Sequence, residues 1–310
     1  MIKFESPQVL FGLFLAFLGT AMFSLKSIFI KLAYAQDLNA DSVLMLRMAI
    51  SLPVYLCIIA YLFRKENTPK TEIRKYLPSI LFLGFIGYFF ASWLDLKGLE
   101  NISAGLERLT LFTYPIFVAI LGALFFQTPL NKKIIITLLL TYLGLWLIFS
   151  QELEEKGTKA TIGVLLVTAS ALNYSVYVLY GKKVIHAIGA MWFTALAMSV
   201  SSVFVLVYYG VLCDWSSLVI SYEAWLWVTL LAFISTVIPS FMISTAIAKI
   251  GSAQTSIVGT LGPIITILLA TFILDEPFTV YHALGILLII TGVMLLTVKR
   301  ADKEIKTPNS

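Results

Sequence analysis

The chain has 310 residues, 59% hydrophobic and only 13% charged, with a mean hydropathy of +0.93. Soluble domains carry roughly 25% charged residues, so this composition excludes a water-soluble globular domain and calls for lipid as solvent. The formal charge of +5 implies no nucleic-acid partner, because membrane proteins gather Lys and Arg in their cytoplasmic loops.

A spanning helix needs about 20 mostly apolar residues. On that measure the chain is an all-α integral membrane protein of ten transmembrane helices. They are expected over residues 10–33, 42–63, 77–96, 104–126 and 131–149, then 162–179, 191–213, 224–246, 253–274 and 280–298. A polar, acidic stretch, 150–159, separates the fifth from the sixth. The first helix is too long, and lacks the small-residue cleavage site, to be a removed signal peptide. The tail beyond Val298 is charged.

Ten helices put both termini on one side. With that side cytoplasmic, fifteen of the 22 Lys and Arg fall in cytoplasmic segments, among them Arg64, Arg74, Lys132, Lys182 and Arg300. Only four, Lys31, Lys97, Lys156 and Lys159, fall outside. Both termini are therefore expected in the cytoplasm. Cys57 and Cys213 fall near opposite faces, too far apart for a disulfide. His186 and His282 sit in or beside different loops. No metal site, and no Ser/His or His/acid pair for catalysis in mid-membrane, is expected. No phosphate-binding P-loop occurs, which excludes an ATP-driven pump within the chain. No cofactor is expected.

The two halves repeat one another. At an offset of 148, Leu99 to Ala104 reads against Ile247 to Ser252, Pro115 falls on Pro263, Pro129 on Pro277 and Gly144 on Gly292. At 151, Gly12 falls on Gly163, Ser24 on Ser175 and Lys31 on Lys182. Five is odd, so the second copy enters the membrane from the opposite side. Such inverted repeats are typical of secondary transporters, with the substrate site between them. The expected division is 1–150, 151–300 and a cytoplasmic tail, 301–310.

The run Leu99-Glu100-Asn101-Ile102-Ser103-Ala104 and Tyr114-Pro115, then Gly262-Pro263, Leu274-Asp275-Glu276-Pro277 and His282-Ala283-Leu284-Gly285, resemble the drug/metabolite transporter superfamily, in its EamA-like ten-helix branch. Arg47 is also similar to that family's pattern. The first copy departs from the acidic turn, reading Phe126-Gln127-Thr128-Pro129. The resemblance extends from Gly12 to Val298. It implies a central cavity lined by helices one, three, four, six, eight and nine, and a bacterial inner membrane as setting. It also implies a job: export of amino acids and other metabolites, or exchange of nucleotide sugars and phosphorylated compounds.

Polar residues at spacings of three, four and seven share one helical face. Such stripes are Thr20, Ser24, Ser27 and Lys31; Tyr88, Ser92 and Asp95; Glu107, Thr110 and Tyr114; Ser170, Asn173, Tyr177 and Tyr180; Thr236, Ser240 and Ser244; and Ser256 and Thr260. Each hydroxyl can instead bond its own backbone or ease helix packing. Tyr88, Trp93, Tyr114, Tyr174 and Tyr177 are candidate aromatic walls.

Apart from Lys31, Lys132 and Lys133 at helix ends, five charges fall within the expected helices: Lys26, Arg47, Asp95, Glu107 and Arg108. A charge at mid-bilayer costs roughly 2.5–3.5 kcal/mol on insertion scales. All five belong to the first copy and lie toward its outer face. Two readings stand open: a structural network that tethers the outer helix ends, or a substrate-binding or gating cluster. The second would place a carboxylate on Arg47, Arg108 or Lys26 and an amine on Asp95 or Glu107. On an unbroken helix Lys26 lies about 120° off its polar stripe. Pro115 and Pro263 each remove a backbone bond in mid-membrane, as fixed kinks or as hinges for alternating access.

The expected function is thus a secondary transporter for a small-molecule substrate, an exporter of amino acids or related metabolites. A proton on Asp95 or Glu107 is one coupling ion; uniport or exchange needs none. An exchanger of nucleotide or phosphorylated metabolites ranks lower, since the second copy brings no basic residues within its helices. A membrane enzyme or scaffold is disfavoured. Membrane lipid is the remaining partner, and the sequence fixes no oligomeric state.

Overall fold

The computed structural model describes residues 7–64, 69–126, 132–213, 215, 218, 220–259 and 261–306. Gln127, Thr128, Pro129, Asn131 and Thr260 lie outside the described residues. Every long element described is helical. Lipid offers no hydrogen-bond partner, so a spanning chain must satisfy its own backbone, as a helix does. Among the described residues, eight helical stretches are long and apolar enough to cross a membrane, and two shorter apolar helices cover Leu261–Ile273 and Val280–Gly292.

The first stretch is α1 (Pro7–Ser24) and α2 (Lys26–Tyr34), parted at Leu25. α3 (Ala40–Arg64) follows. The third comprises α4 (Lys70–Gly84), a π-helical segment (Phe85–Phe90) and α5 (Ala91–Leu99). The fourth is α6 (Ala104–Leu111) and α7 (Tyr114–Phe126). Then come α8 (Lys132–Lys156), α9 (Thr158–Ile188) and α10 (Ala190–Leu212). α11 (Tyr222–Ala232), a second π-helical segment (Phe233–Val237) and α12 (Ile238–Gly259) lead into α13 (Leu261–Ile273) and α14 (Val280–Lys306). The two π-helical segments start 148 residues apart, at Phe85 and Phe233.

Several ends differ from the apolar count. The acidic stretch 150–159 is not a linker. α8 runs to Lys156, aided by a Lys156–Glu152 ion pair at 2.9 Å one turn back. Only Gly157 interrupts it, at φ +57, a conformation in which glycine carries no Cβ penalty. α12 also runs through the expected turn at 247–252, because Gly251 weakens a helix by only about 1 kcal/mol. Pro115 does not kink mid-helix: it falls in the first helical turn of α7, where proline lacks only a donor that has no partner anyway. Pro263 is the third residue described in α13. The break before α7 is held by Thr113, whose hydroxyl donates to Thr110 O at 2.7 Å.

The helices pack as α8 on α14, α1 on α12, α3 on α10 and α5 on α9. Small residues set the closest approaches, as membrane helix packing requires. A Cβ on Gly144 would lie 2.7 Å from Gly285 O, and one on Gly285 2.7 Å from Gly144 O. Thr137 donates to Gly292 O at 2.9 Å across the same crossing. A Cβ on Gly12 would meet Ile250 at 2.5 Å, and one on Gly163 would meet Ile102 at 2.5 Å. Gly144→Ala is therefore expected to push α8 from α14 and lose about 1–3 kcal/mol, read as a lower unfolding midpoint in micelles. Gly210→Ala, where a Cβ meets nothing within 4 Å, should show no such loss.

Candidate functional site

The site begins at the break in the first stretch. Ser24 Oγ donates to Thr20 O at 2.8 Å and to Gly262 O at 3.1 Å, while Thr266 Oγ1 on α13 donates to Ser24 O at 3.0 Å. α1 ends at Ser24 and α2 restarts at Lys26 across the single residue Leu25, which itself keeps helical dihedrals (φ −71, ψ −12).

Lys26 Nζ lies 2.5 Å from Asp95 Oδ2 on α5 and 3.6 Å from Glu107 Oε1 on α6. Ser27 Oγ donates to Glu107 Oε2 at 2.5 Å. Both carboxylates are buried, Asp95 at 2% and Glu107 at 0% exposure. One ammonium thus holds two carboxylates from two other stretches. Arg47 on α3 is 4% exposed and is an electrostatic neighbour of Asp95. The Nε atoms of Arg47 and Arg108 are buried without a hydrogen-bond partner, and Asp95 faces Glu107. Arg108 reaches α13, where a Cβ on Gly262 would lie 3.2 Å from its Nη2. Among the described residues, the buried Asp, Glu, Lys and Arg are Arg47, Asp95 and Glu107, all within 1–150, and Glu152 near the end of α8.

About two turns from Asp95 and Glu107, in the π-helical segment and at the start of α7, lie Tyr88 and Tyr114, with Tyr174 and Tyr177 on α9. Tyr88 and Tyr177 meet edge to face with ring centroids 4.8 Å apart, and Tyr177 donates to Tyr88 Oη at 3.5 Å. Tyr177 stacks on Tyr174 at 5.7 Å, and Tyr174 meets Tyr114 at 5.1 Å. Gly87, in the π-helical segment, permits this approach, since a Cβ there would fall 2.4 Å from Tyr177 Cβ. Four expected wall tyrosines therefore form one continuous row. Asn173 is not part of it, because its amide donates to Ala169 O at 2.8 Å. The stripe hydroxyls Thr110, Ser240 and Ser244 likewise bond carbonyls of their own helices.

Other charges, placed by the sequence outside the helices or left without a role, do structural work at the helix ends. Lys31, Asp41 and Lys97 sit on α2, α3 and α5. Lys97 pairs with Asp41 at 2.9 Å and lies 3.6 Å from Glu100, whose Oε1 accepts from Ala40 N at 2.6 Å. Trp93 Nε1 and Tyr208 Oη also donate to Asp41. At the start of α6, Ser103 caps Leu106 N, Glu152 accepts from Ser103, and Glu276 accepts from Ala104 N at 2.8 Å and Gly105 N at 3.2 Å. The Asp-Glu-Pro turn of the second half thus closes the helix start of the first. Glu276→Ala is expected to lose about 1–2 kcal/mol, visible as a lower thermal midpoint that Glu276→Asp partly restores. Among the described residues no group of His, Cys, Asp or Glu could hold a metal ion.

Comparison with known proteins gives one consistent result. The uncharacterized transporter YcbK of Bacillus subtilis (strain 168) is 25% identical over 300 residues, 94% of this chain and 96% of that one. The uncharacterized transporter YvbV of the same organism is 28% identical, over 76% of this chain and 73% of that one. The uncharacterized transporter sll1319 of Synechocystis sp. is 21% identical, over 94% of this chain and 95% of that one. A protein known from a crystal structure superposes with a TM-score of 0.67 at 15% identity, covering 94% of this chain and 98% of that one, which shows a shared fold. The model of the EamA-like transporter family matches twice, over residues 10–150 and 161–298. The chain is a multi-pass membrane protein that belongs to the EamA-like transporter family.

Proposed function

We propose that the chain is a secondary transporter that exports amino acids or related small metabolites by alternating access. In this reading it has ten transmembrane helices, in two inverted repeats of five, 1–150 and 151–300, with 301–310 as a cytoplasmic tail. Support comes from the double family match, from π-helical segments at the repeat offset, and from the paired contacts Gly12–Ile250 and Gly163–Ile102. The Lys and Arg bias supports cytoplasmic termini, in a bacterial inner membrane.

One observation carries the functional reading: the buried Lys26–Asp95–Glu107 cluster with Arg47 and Arg108 beside it. Ionisable groups inside a membrane are functional by default. Carboxylates and guanidinium groups side by side match the two ends of a zwitterion, and the tyrosine row below suits an apolar side chain. Asp95 or Glu107 also serves as the carrier of a coupling proton. The test is a metabolite screen in membrane vesicles with and without the protein, repeated across pH with Asp95→Asn and Glu107→Gln. Carrier-dependent flux lost in the variants supports the reading. No flux for any metabolite removes transport, and normal flux in both variants at every pH makes the cluster structural.

A further inference from the structure

The Lys26 ammonium bridges two buried carboxylates, 2.5 Å from Asp95 and 3.6 Å from Glu107. Its side chain is 15% exposed, against 2% and 0% for the carboxylates, so it is the accessible member of the three. The cluster around it is incomplete. Arg47 Nε has no hydrogen-bond partner, on a side chain more than nine-tenths buried, while Asp95 faces Glu107. Buried polar atoms normally have partners, and the acceptor end of a ligand would supply this one.

We infer that Lys26 is a tethered occupant of a primary-ammonium subsite, and that a substrate's own ammonium displaces it from Asp95 and Glu107. The substrate class is then a molecule with a primary ammonium and a carboxylate, the ammonium on Asp95 and Glu107 and the carboxylate on Arg47. A deaminated analogue cannot displace Lys26 and is not accepted. This inference rests on the transporter reading for its purpose, though not for its test.

The test is chemical rescue in detergent. Lys26→Ala removes the atoms that propylammonium carries, so propylammonium chloride should bind the vacated subsite. Its thermal midpoint is expected to rise by about 2 °C or more over a sodium chloride control of equal ionic strength. The unaltered protein should not respond, since its tether fills the site. Neither should Lys26→Ala/Asp95→Asn/Glu107→Gln, which has no anion to bind. If Lys26→Ala folds only with propylammonium present, the inference stands; if it cannot be recovered even then, the inference fails. No shift in folded Lys26→Ala, or an equal shift in all three proteins, also overturns it. Rescue without metabolite flux would keep the subsite and remove the transporter, and flux without rescue would do the reverse.

Discussion

Lys26→Met is expected to destabilise the protein by about 3–5 kcal/mol, the cost of removing one partner from a buried ion pair. The reason is specific to this cluster. Lys26 is the single ammonium within 4 Å of both Asp95 and Glu107 among the described residues. Its loss leaves two buried carboxylates facing one another, with only Ser27 donating to one of them. Each ion already carries a desolvation penalty of several kcal/mol, which pairing must offset. Adding Asp95→Asn and Glu107→Gln to Lys26→Met removes the uncompensated charge and should recover most of the loss. Unfolding midpoints of the three proteins in mixed micelles check this. Equal midpoints for Lys26→Met and the unaltered protein would show that Lys26 does not hold the cluster together.

Asp95→Asn is expected to abolish most transport while the protein still folds. It keeps the side-chain shape and removes one of two anions, leaving Glu107 to hold Lys26. A substrate ammonium that loses a buried charged partner forfeits about 2–5 kcal/mol, which is about thirtyfold or more in affinity. Initial rates of metabolite flux across a concentration series, normalised to protein in the membrane, measure this. Tyr180→Phe is the matched control, because Tyr180 is 42% exposed; it should transport normally.

Much of this fold is legible from the apolar runs, because lipid forces each into a helix. α10, expected over 191–213, is Ala190–Leu212. The ends were less legible. α9 is Thr158–Ile188 against an expected 162–179, since a helix continues through polar residues once its backbone bonds are running. The site was half legible. The charges Lys26, Asp95 and Glu107 stand out in any apolar helix, and their shared depth follows from the rise per residue. Their pairing does not, because Lys26 and Asp95 lie 69 residues apart. The Ser24 carbonyl likewise accepts from Thr266, 242 residues away. The cap that Glu276 gives to α6 spans 172 residues, and no local pattern announces it. The acidic turn itself was the available signal, one without an address.

The central claim is tested most directly by counterflow in liposomes holding the purified chain. Preloaded with the amino acid that the vesicle screen identifies, they should transiently accumulate trace labelled substrate, and liposomes with Asp95→Asn should not. Labelled substrate that never exceeds its equilibrium level, with folded protein at comparable density, would contradict the account.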